Sequence, residues 1–316
     1  MRRLAILAGL GVAVVAFGCL PGCRRELVPD VPSPAVTALK PSPAQLVAYM
    51  NDNAHALQSI KSTRLEIDAK EGREGIGLVG SLFCEKPRDF RLRATLAGQQ
   101  AVDIGSNNDE FWFYIGQGKD QDGVARVHYC SYQDMAAGKA RMPFPFQPDM
   151  IVAALGMGEY DPSKEYSLKE DARTVSLVEK TVSAQGQPVQ RVTVFNRTQA
   201  GPGKPQVLAH VLLDDKGNEI CRASILEVQT VQIGQERAVV PQRVQLVWRP
   251  QQIEMTMRLY DTQVNGIDAP HAAKLFSRAD LSGIPSSNLA QAAPDAPSGY
   301  SQMSIQRTGL NVPAAK

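Results

Sequence analysis

Gly75-Ile76-Gly77-Leu78-Val79-Gly80 has the spacing of a glycine loop that cradles a dinucleotide pyrophosphate. That chemistry needs a strand before the loop and a helix after it. Here the charged stretch Lys70 to Glu74 precedes the glycines, and strand-like Ser81-Leu82-Phe83 follows, ahead of Pro87. The glycines therefore read as a turn and an early strand. Asp120-Gln121-Asp122-Gly123 starts like a calcium loop but lacks the closing glutamate, so a solvated hairpin turn is the better reading. The four histidines, His55, His128, His210 and His271, are scattered, and no two share a helix face at ligand spacing. No Gly-x-Ser-x-Gly, His-Glu-x-x-His or Cys/His pairing offers a nucleophile with its base. Carboxylates such as Asp109-Glu110 and Asp214-Asp215 sit in turn-like sequence, where solvated charge is the default. These residues predict a binding or structural protein, not an enzyme, with no cofactor and no metal.

Two cysteines invite a different chemistry. Arg2 and Arg3 precede an uncharged, mostly apolar run from Leu4 to Phe17, too short to span a bilayer unaided, and Cys19 and Cys23 follow. Leu20-Pro21-Gly22-Cys23 resembles the leucine, small residues and cysteine at which a bacterial lipoprotein precursor receives a diacylglyceryl group. Ala16-Phe17-Gly18-Cys19 lacks the leucine and carries a bulky Phe17, so Cys23 is favoured and Cys19 is the alternative. The blander readings are a secretory peptide with an incidental cysteine, or an uncleaved anchor. Lipidation predicts firm membrane attachment, because each buried methylene contributes ~0.8 kcal/mol and two or three chains hold where one does not. Arg24, rather than aspartate, follows Cys23 and favours the outer membrane over the inner by the sorting rule of some Gram-negative bacteria.

The chain has 316 residues, a formal charge of +2 and 43% hydrophobic residues, enough for a sizeable core. Near-neutral charge excludes a nucleic-acid binder, which needs a basic stripe. Cys84, Cys130 and Cys221 remain beyond the leader. An oxidising compartment permits one disulfide among them with an odd thiol left over; three unpaired, buried cysteines is the alternative.

The elements that position these residues are mostly strands. Pro29, Pro32, Pro34 and Pro41 mark a tether over 23–43 after a signal peptide over 1–22. Ser42-Pro43-Ala44-Gln45 carries a capping box, and Leu46, Met50, Ala54, Leu57 and Ile60 follow at helical spacing. The period then changes to two: Leu65 and Ile67; Phe90, Leu92 and Ala94; Val244, Leu246 and Trp248; Met255, Met257 and Leu259 each alternate with polar residues. Asp214-Asp215-Lys216-Gly217-Asn218 and Val264-Asn265-Gly266 read as turns. About ten strands are expected, enough for an open sheet to curl. Pro148 to Leu155 predicts a short helix stopped by Gly156, and the prolines of Met142-Pro143-Phe144-Pro145-Phe146 exclude a central strand before it. The domain is expected over 44–285, with a disordered tail over 286–316 rich in Ala, Pro, Ser and Gln.

In Phe111-Trp112-Phe113-Tyr114-Ile115 both faces of a strand are apolar, so each must be covered. Either this is a central strand with packing on both sides, or it is the aromatic wall of a ligand cavity.

Taken together, these residues resemble the LolA/LolB family of periplasmic lipoprotein carriers. The resemblance covers roughly Ser42 to Leu155. It consists of the amphipathic helix from Leu46, Gly80-Ser81-Leu82-Phe83-Cys84-Glu85-Lys86-Pro87, Phe90-Arg91-Leu92, Gly105-Ser106-Asn107-Asn108 leading into the aromatic strand, and the proline-flanked helix at Pro148–Leu155. It implies a mainly β (α+β) fold, a curved antiparallel sheet forming an incomplete β-barrel with helices lidding its concave face. It implies an apolar ligand, such as lipoprotein acyl chains or a lipid, held against Leu92, Phe111, Trp112, Phe113, Ile151 and Leu155. It also implies a lid contact at Lys86, where the family has arginine; lysine keeps the charge but loses the planar fork. The alternative is a structural or interaction lipoprotein whose similar sheet is filled by its own side chains.

Overall fold

The computed structural model describes residues 40–116, 123–140, 148–183, 186–278, 281 and 283–291. The expected signal peptide, nearly all of the tether, the Met142–Phe146 approach and the calcium-like Asp120 and Asp122 lie outside these residues.

Helix α1 (Pro43–Ala56) opens the fold on the expected capping box: Ser42 N–H donates to Gln45 Oε1 at 2.8 Å, and Gln45 N–H to Ser42 Oγ at 3.3 Å. The helix was expected to run on to Ile60 but stops at Ala56, and the following residues belong to strand β1 (Ser59–Glu71). The reason is Asn265, whose Nδ2 donates to Ala56 O and whose Oδ1 accepts the Gln58 and Ser59 amides, ending one element and starting the next.

A meander follows through β2 (Glu74–Glu85), β3 (Asp89–Leu96), β4 (Gln99–Ser106), β5 (Glu110–Ile115) and β6 (Val127–Ser131). Two short helices, α2 (Tyr132–Ala136) and α3 (Pro148–Ala154), come next. A second meander runs through β7 (Tyr166–Glu170), β8 (Thr174–Val182), β9 (Pro188–Asn196), β10 (Val207–Asp214), β11 (Glu219–Ile233), β12 (Glu236–Trp248) and β13 (Ile253–Val264). Helix α4 (Ala269–Leu275) and strand β14 (Ser286–Asn288) complete the described chain.

Among the described residues all fourteen strands form one sheet in the order β14-β6-β5-β4-β3-β2-β1-β13-β12-β11-β10-β9-β8-β7. The first and last strands do not pair, so the sheet curves without closing. The two meanders meet where β1 pairs β13 antiparallel. All pairings are antiparallel except β14 on β6. This is the incomplete barrel that the alternating segments and the resemblance predict, with more strands than the ten expected. Pro285 O accepts the Val127 amide and Leu289 N–H donates to Tyr129 O, so ordered chain continues past the expected boundary at 285. That boundary is corrected: Ser286-Ser287-Asn288 has no apolar pattern, but the edge of β6 supplies its hydrogen-bond partners.

The dinucleotide-like glycines lie within β2, as the sequence context suggests. Gly80 is required by close approach, since a Cβ there would meet Arg93 O at 2.0 Å. The sheet's two faces differ. Residues directly opposite in antiparallel strands share a face. One row, Leu177-Thr193-His210-Ala223-Leu246-Met255-Ala69-Ile76, therefore crosses eight strands on the concave side. On the convex side a row runs Lys61-Phe83-Arg91-Gly105-Trp112-Tyr129. The C-terminal segment straps across this row. Buried Arg91 grips Asp103 through both carboxylate oxygens at 3.1 and 2.8 Å and donates to Leu275 O and Ser277 O at 2.7 and 2.9 Å.

Candidate ligand-binding face

Helix α3 plugs the concave face. Met150, Ile151 and Leu155 are buried in one apolar cluster with Leu65, Leu82, Leu92, Phe111, Phe113, Leu246 and Met257. Five of the six residues expected to touch a ligand, Leu92, Phe111, Phe113, Ile151 and Leu155, thus come together on this face. Trp112 does not join them. It points to the convex side, with Tyr114, Val127, Leu281 and Ile284 around it, as strand alternation requires. Its indole lies over Gly105, where a Cβ would sit 2.1 Å from the ring. Both faces of the aromatic strand are therefore covered by the chain's own residues.

Helix α1 lies on the same face, against β12 and β7. Leu46, Val47 and Met50 pack against Val175, Leu177, Phe195 and Tyr160. Its polar residues act as latches that the sequence reading did not anticipate. Asn51 exchanges two hydrogen bonds with the Tyr160 backbone, both at 2.8 Å. Asn53 Oδ1 accepts the Val239 amide at 2.7 Å, and its Nδ2 donates to Val239 O and Gly156 O. β12 pairs with β13 only from Arg243 onward, so Val239 lies on an open strand edge and Asn53 stands in for the missing neighbour. Lys86 reaches two lid segments at once: its ammonium donates to Ala54 O at 2.6 Å and to Glu159 at 2.7 Å. That hydrogen bond holds the Glu159 carboxyl below its usual range.

A polar nest is buried beneath α1. The Tyr160 hydroxyl is 2.6 Å from Thr193 Oγ1 and 3.4 Å from His210 Nδ1, and Arg191 stacks 4.4 Å over the Tyr160 ring. Glu179, 2% exposed, is bridged by Arg191 at 2.5 Å and Lys164 at 2.7 Å. Burial, followed by the Arg191 charge, pushes His210 down to about 4.

A cavity of about 50 Å³ lies on this face between α1, the end of α3 and β10–β12, bordered by Tyr49, Met50, Ala154, Ile225 and Val239. Sites for small ligands span roughly 300–1,000 Å³. Occupation of this cavity by an acyl chain therefore requires part of the plug to lift. Cys84, Cys130 and Cys221 are free and buried, which settles the sequence alternatives against a disulfide among them. Burial pushes the Cys130 and Cys221 thiols up to about 11 and about 12, with help from Asp134 and Glu219 respectively, so neither is a ready nucleophile. Among the described residues no group of three His, Cys, Asp or Glu could hold a metal, and no helix is long and apolar enough to cross a membrane.

No protein-family model matches the chain. No curated protein matches it either. Among solved structures it is similar to a domain from Vibrio parahaemolyticus named for outer membrane lipoprotein sorting, with a TM-score of 0.48 and 9% identity over 73% of this chain and 96% of that one. It is also similar to a DUF1329 family protein from Desulfovibrio piger, with a TM-score of 0.45 and 9% identity over 74% and 98%. A LolA superfamily protein from Nitrosomonas europaea has a TM-score of 0.42 and 7% identity over 73% and 97%. In its own geometry the chain is an unclosed sheet with helices on its concave side, the incomplete barrel expected from the sequence.

Proposed function

We infer that the protein is a non-enzymatic binding protein of the bacterial envelope that takes an apolar ligand, lipoprotein acyl chains or a lipid, against the concave face when helix α1 lifts. The expected leader and Cys23 supply the anchor and a periplasm-facing position, with the outer membrane favoured by Arg24. The observation that carries the reading is the contrast between an apolar face spanning the sheet and a lid fixed at its ends by side-chain amides.

Magnitudes favour α1 as the moving part. Burying a large apolar side chain contributes about 1.5–3 kcal/mol, so re-exposing Leu46, Val47 and Met50 costs about 5–9 kcal/mol. A sixteen-carbon chain gains at most ~12 kcal/mol on transfer, enough to displace α1. Lifting α3 would uncover Met150, Ile151, Val152 and Leu155 from the main cluster as well, and the ligand could not offset both.

The test is uptake of a fluorescent sixteen-carbon fatty acid by the full chain, with native mass spectrometry of protein taken from cells. Wild type is expected to bind one chain and to carry a lipid of defined mass. Asn53→Ala, which frees the Val239 edge and Gly156, is expected to load faster. No uptake by either form, and no co-purifying lipid, would leave a structural envelope protein whose sheet is filled by its own helices.

A further inference from the structure

A larger cavity lies on the other side of the sheet. Its volume is about 670 Å³, within the range of ligand sites. The convex row Lys61-Phe83-Arg91 forms its floor, and Ile267, Lys274 and Leu275 of the C-terminal strap form its wall.

The charges around it do not cancel. Lys61, Arg91, Arg93, Lys274 and Arg278 all line it. Arg91 is saturated by Asp103 and two strap carbonyls, and Arg93 leans on the same carboxylate at 3.5 Å. Arg278 is paired to Glu110 at 3.1 Å and stacked on Tyr129. The only carboxylate in the lining is Asp268, which caps α4 and bonds His271. The Lys61 and Lys274 side chains make no hydrogen bond or ion pair among the described residues, and the lone Asp268 carboxylate, which feels the Lys61 charge, does not balance the cations facing the cavity. The crowding shows on Arg93, whose pKa is lowered by burial and then by the Arg91 charge. Phe83, Ile267 and Leu275 add an apolar patch beside the two lysines.

We propose that this pocket binds an anionic amphiphile, with a phosphate or carboxylate head between Lys61 and Lys274 and the first carbons of its tail on Phe83, Ile267 and Leu275. A bare anion would leave the apolar patch wet, and a neutral lipid would leave the lysines with only Asp268, already bonded to His271, as a counter-charge. The site is independent of the concave face, from which it is separated by the thickness of the sheet.

Calorimetric titration of the full chain with octyl phosphate, inorganic phosphate and octanol tests it. Octyl phosphate is expected to bind one per chain, more tightly than inorganic phosphate. Its affinity should fall roughly tenfold or more in Lys61→Glu/Lys274→Glu, the scale of one lost charge-assisted hydrogen bond. Lys61→Gln/Lys274→Gln should weaken it in the same direction and should melt close to wild type, because neither lysine side chain makes a hydrogen bond or ion pair among the described residues. Equal affinity for inorganic phosphate would reduce the site to a simple anion pocket and overturn the amphiphile. Unchanged affinity in the double variants, or full competition by octanol, would move the ligand elsewhere and overturn the site.

Discussion

The two faces of this sheet solve opposite problems. The concave face is packed and, apart from the nest around Glu179 and His210, apolar, and the cavity between α1, α3 and the strands is about 50 Å³. The convex face carries Arg91, Asp103, Arg93 and Lys61, and beneath its strap a cavity of about 670 Å³ remains. Apolar side chains slide together until little space is left, because dispersion and water exclusion reward any close contact. Charged groups stop approaching once their hydrogen bonds are satisfied, and like charges hold space open. A trough can therefore be greasy and full while the charged back of the same sheet is hollow.

The strongest way to break this contrast is to unbalance the convex ion pair. Asp103→Ala leaves the buried Arg91 guanidinium with two carbonyls and no counter-charge, and should cost about 3–5 kcal/mol in urea unfolding. Replacing both partners, as Arg91→Met with Asp103→Leu, should cost much less. A double variant as unstable as Asp103→Ala would show that the strap contacts of Arg91, not its charge, dominate.

On the concave face the matching experiment is Leu155→Ala, which opens space at the heart of the plug. It should destabilise by about 2–5 kcal/mol. If the cavity stays open, the variant should also bind more of an apolar dye than wild type. Destabilisation without extra binding would mean that the surrounding cluster collapses into the gap.

The smallest effect sharpens the comparison through pH. His210 on the concave face stays neutral in the folded protein down to about 4, whereas its ordinary value is 6.5. The unfolded chain binds the extra proton first, so stability is full above pH 6.5 and falls as pH drops toward 4. The expected loss is on the order of 2–3 kcal/mol, and His210→Gln should abolish that part of the slope. Arg191, Glu179 and Tyr160 face the same nest and remain in the variant. Asp89, on the convex side, acts with the opposite sign. Burial and the neighbouring Glu85 raise it to about 6 from 3.8, so the folded chain gains stability as pH falls through that window. Asp89→Asn should therefore steepen the acid loss that His210→Gln removes. An unchanged slope in His210→Gln would place the titrating group elsewhere.

How much of this was legible in the sequence follows the range of the contacts. The capping box at Ser42, the helix at Pro148, the turn at Asp214–Asn218 and the alternating strands are local patterns, and the structure contains them. The end of α1 was not legible, because Leu57 and Ile60 continue a helical spacing while Asn265, more than two hundred residues away, stops the helix. The concave set Leu92, Phe111, Phe113, Ile151 and Leu155 came from resemblance and alternation, and those residues do meet. Trp112 was grouped with them against the strand's own parity. The convex pocket left no local trace, since it joins β1–β3 to a segment about 180 residues further along through Arg91 and the Leu275 carbonyl.

The short parallel strand β14 has a consequence of its own. An uncovered strand edge offers a row of amides and carbonyls on which another chain can template. The outer edge of β6 is such a row, and Ser286–Asn288 covers it. That guard sits at the end of the strap that Arg91 fastens through the Leu275 and Ser277 carbonyls. Weakening the ion pair beneath the strap therefore loosens the guard as well, and a defect in one molecule's stability becomes an invitation for two molecules to stick.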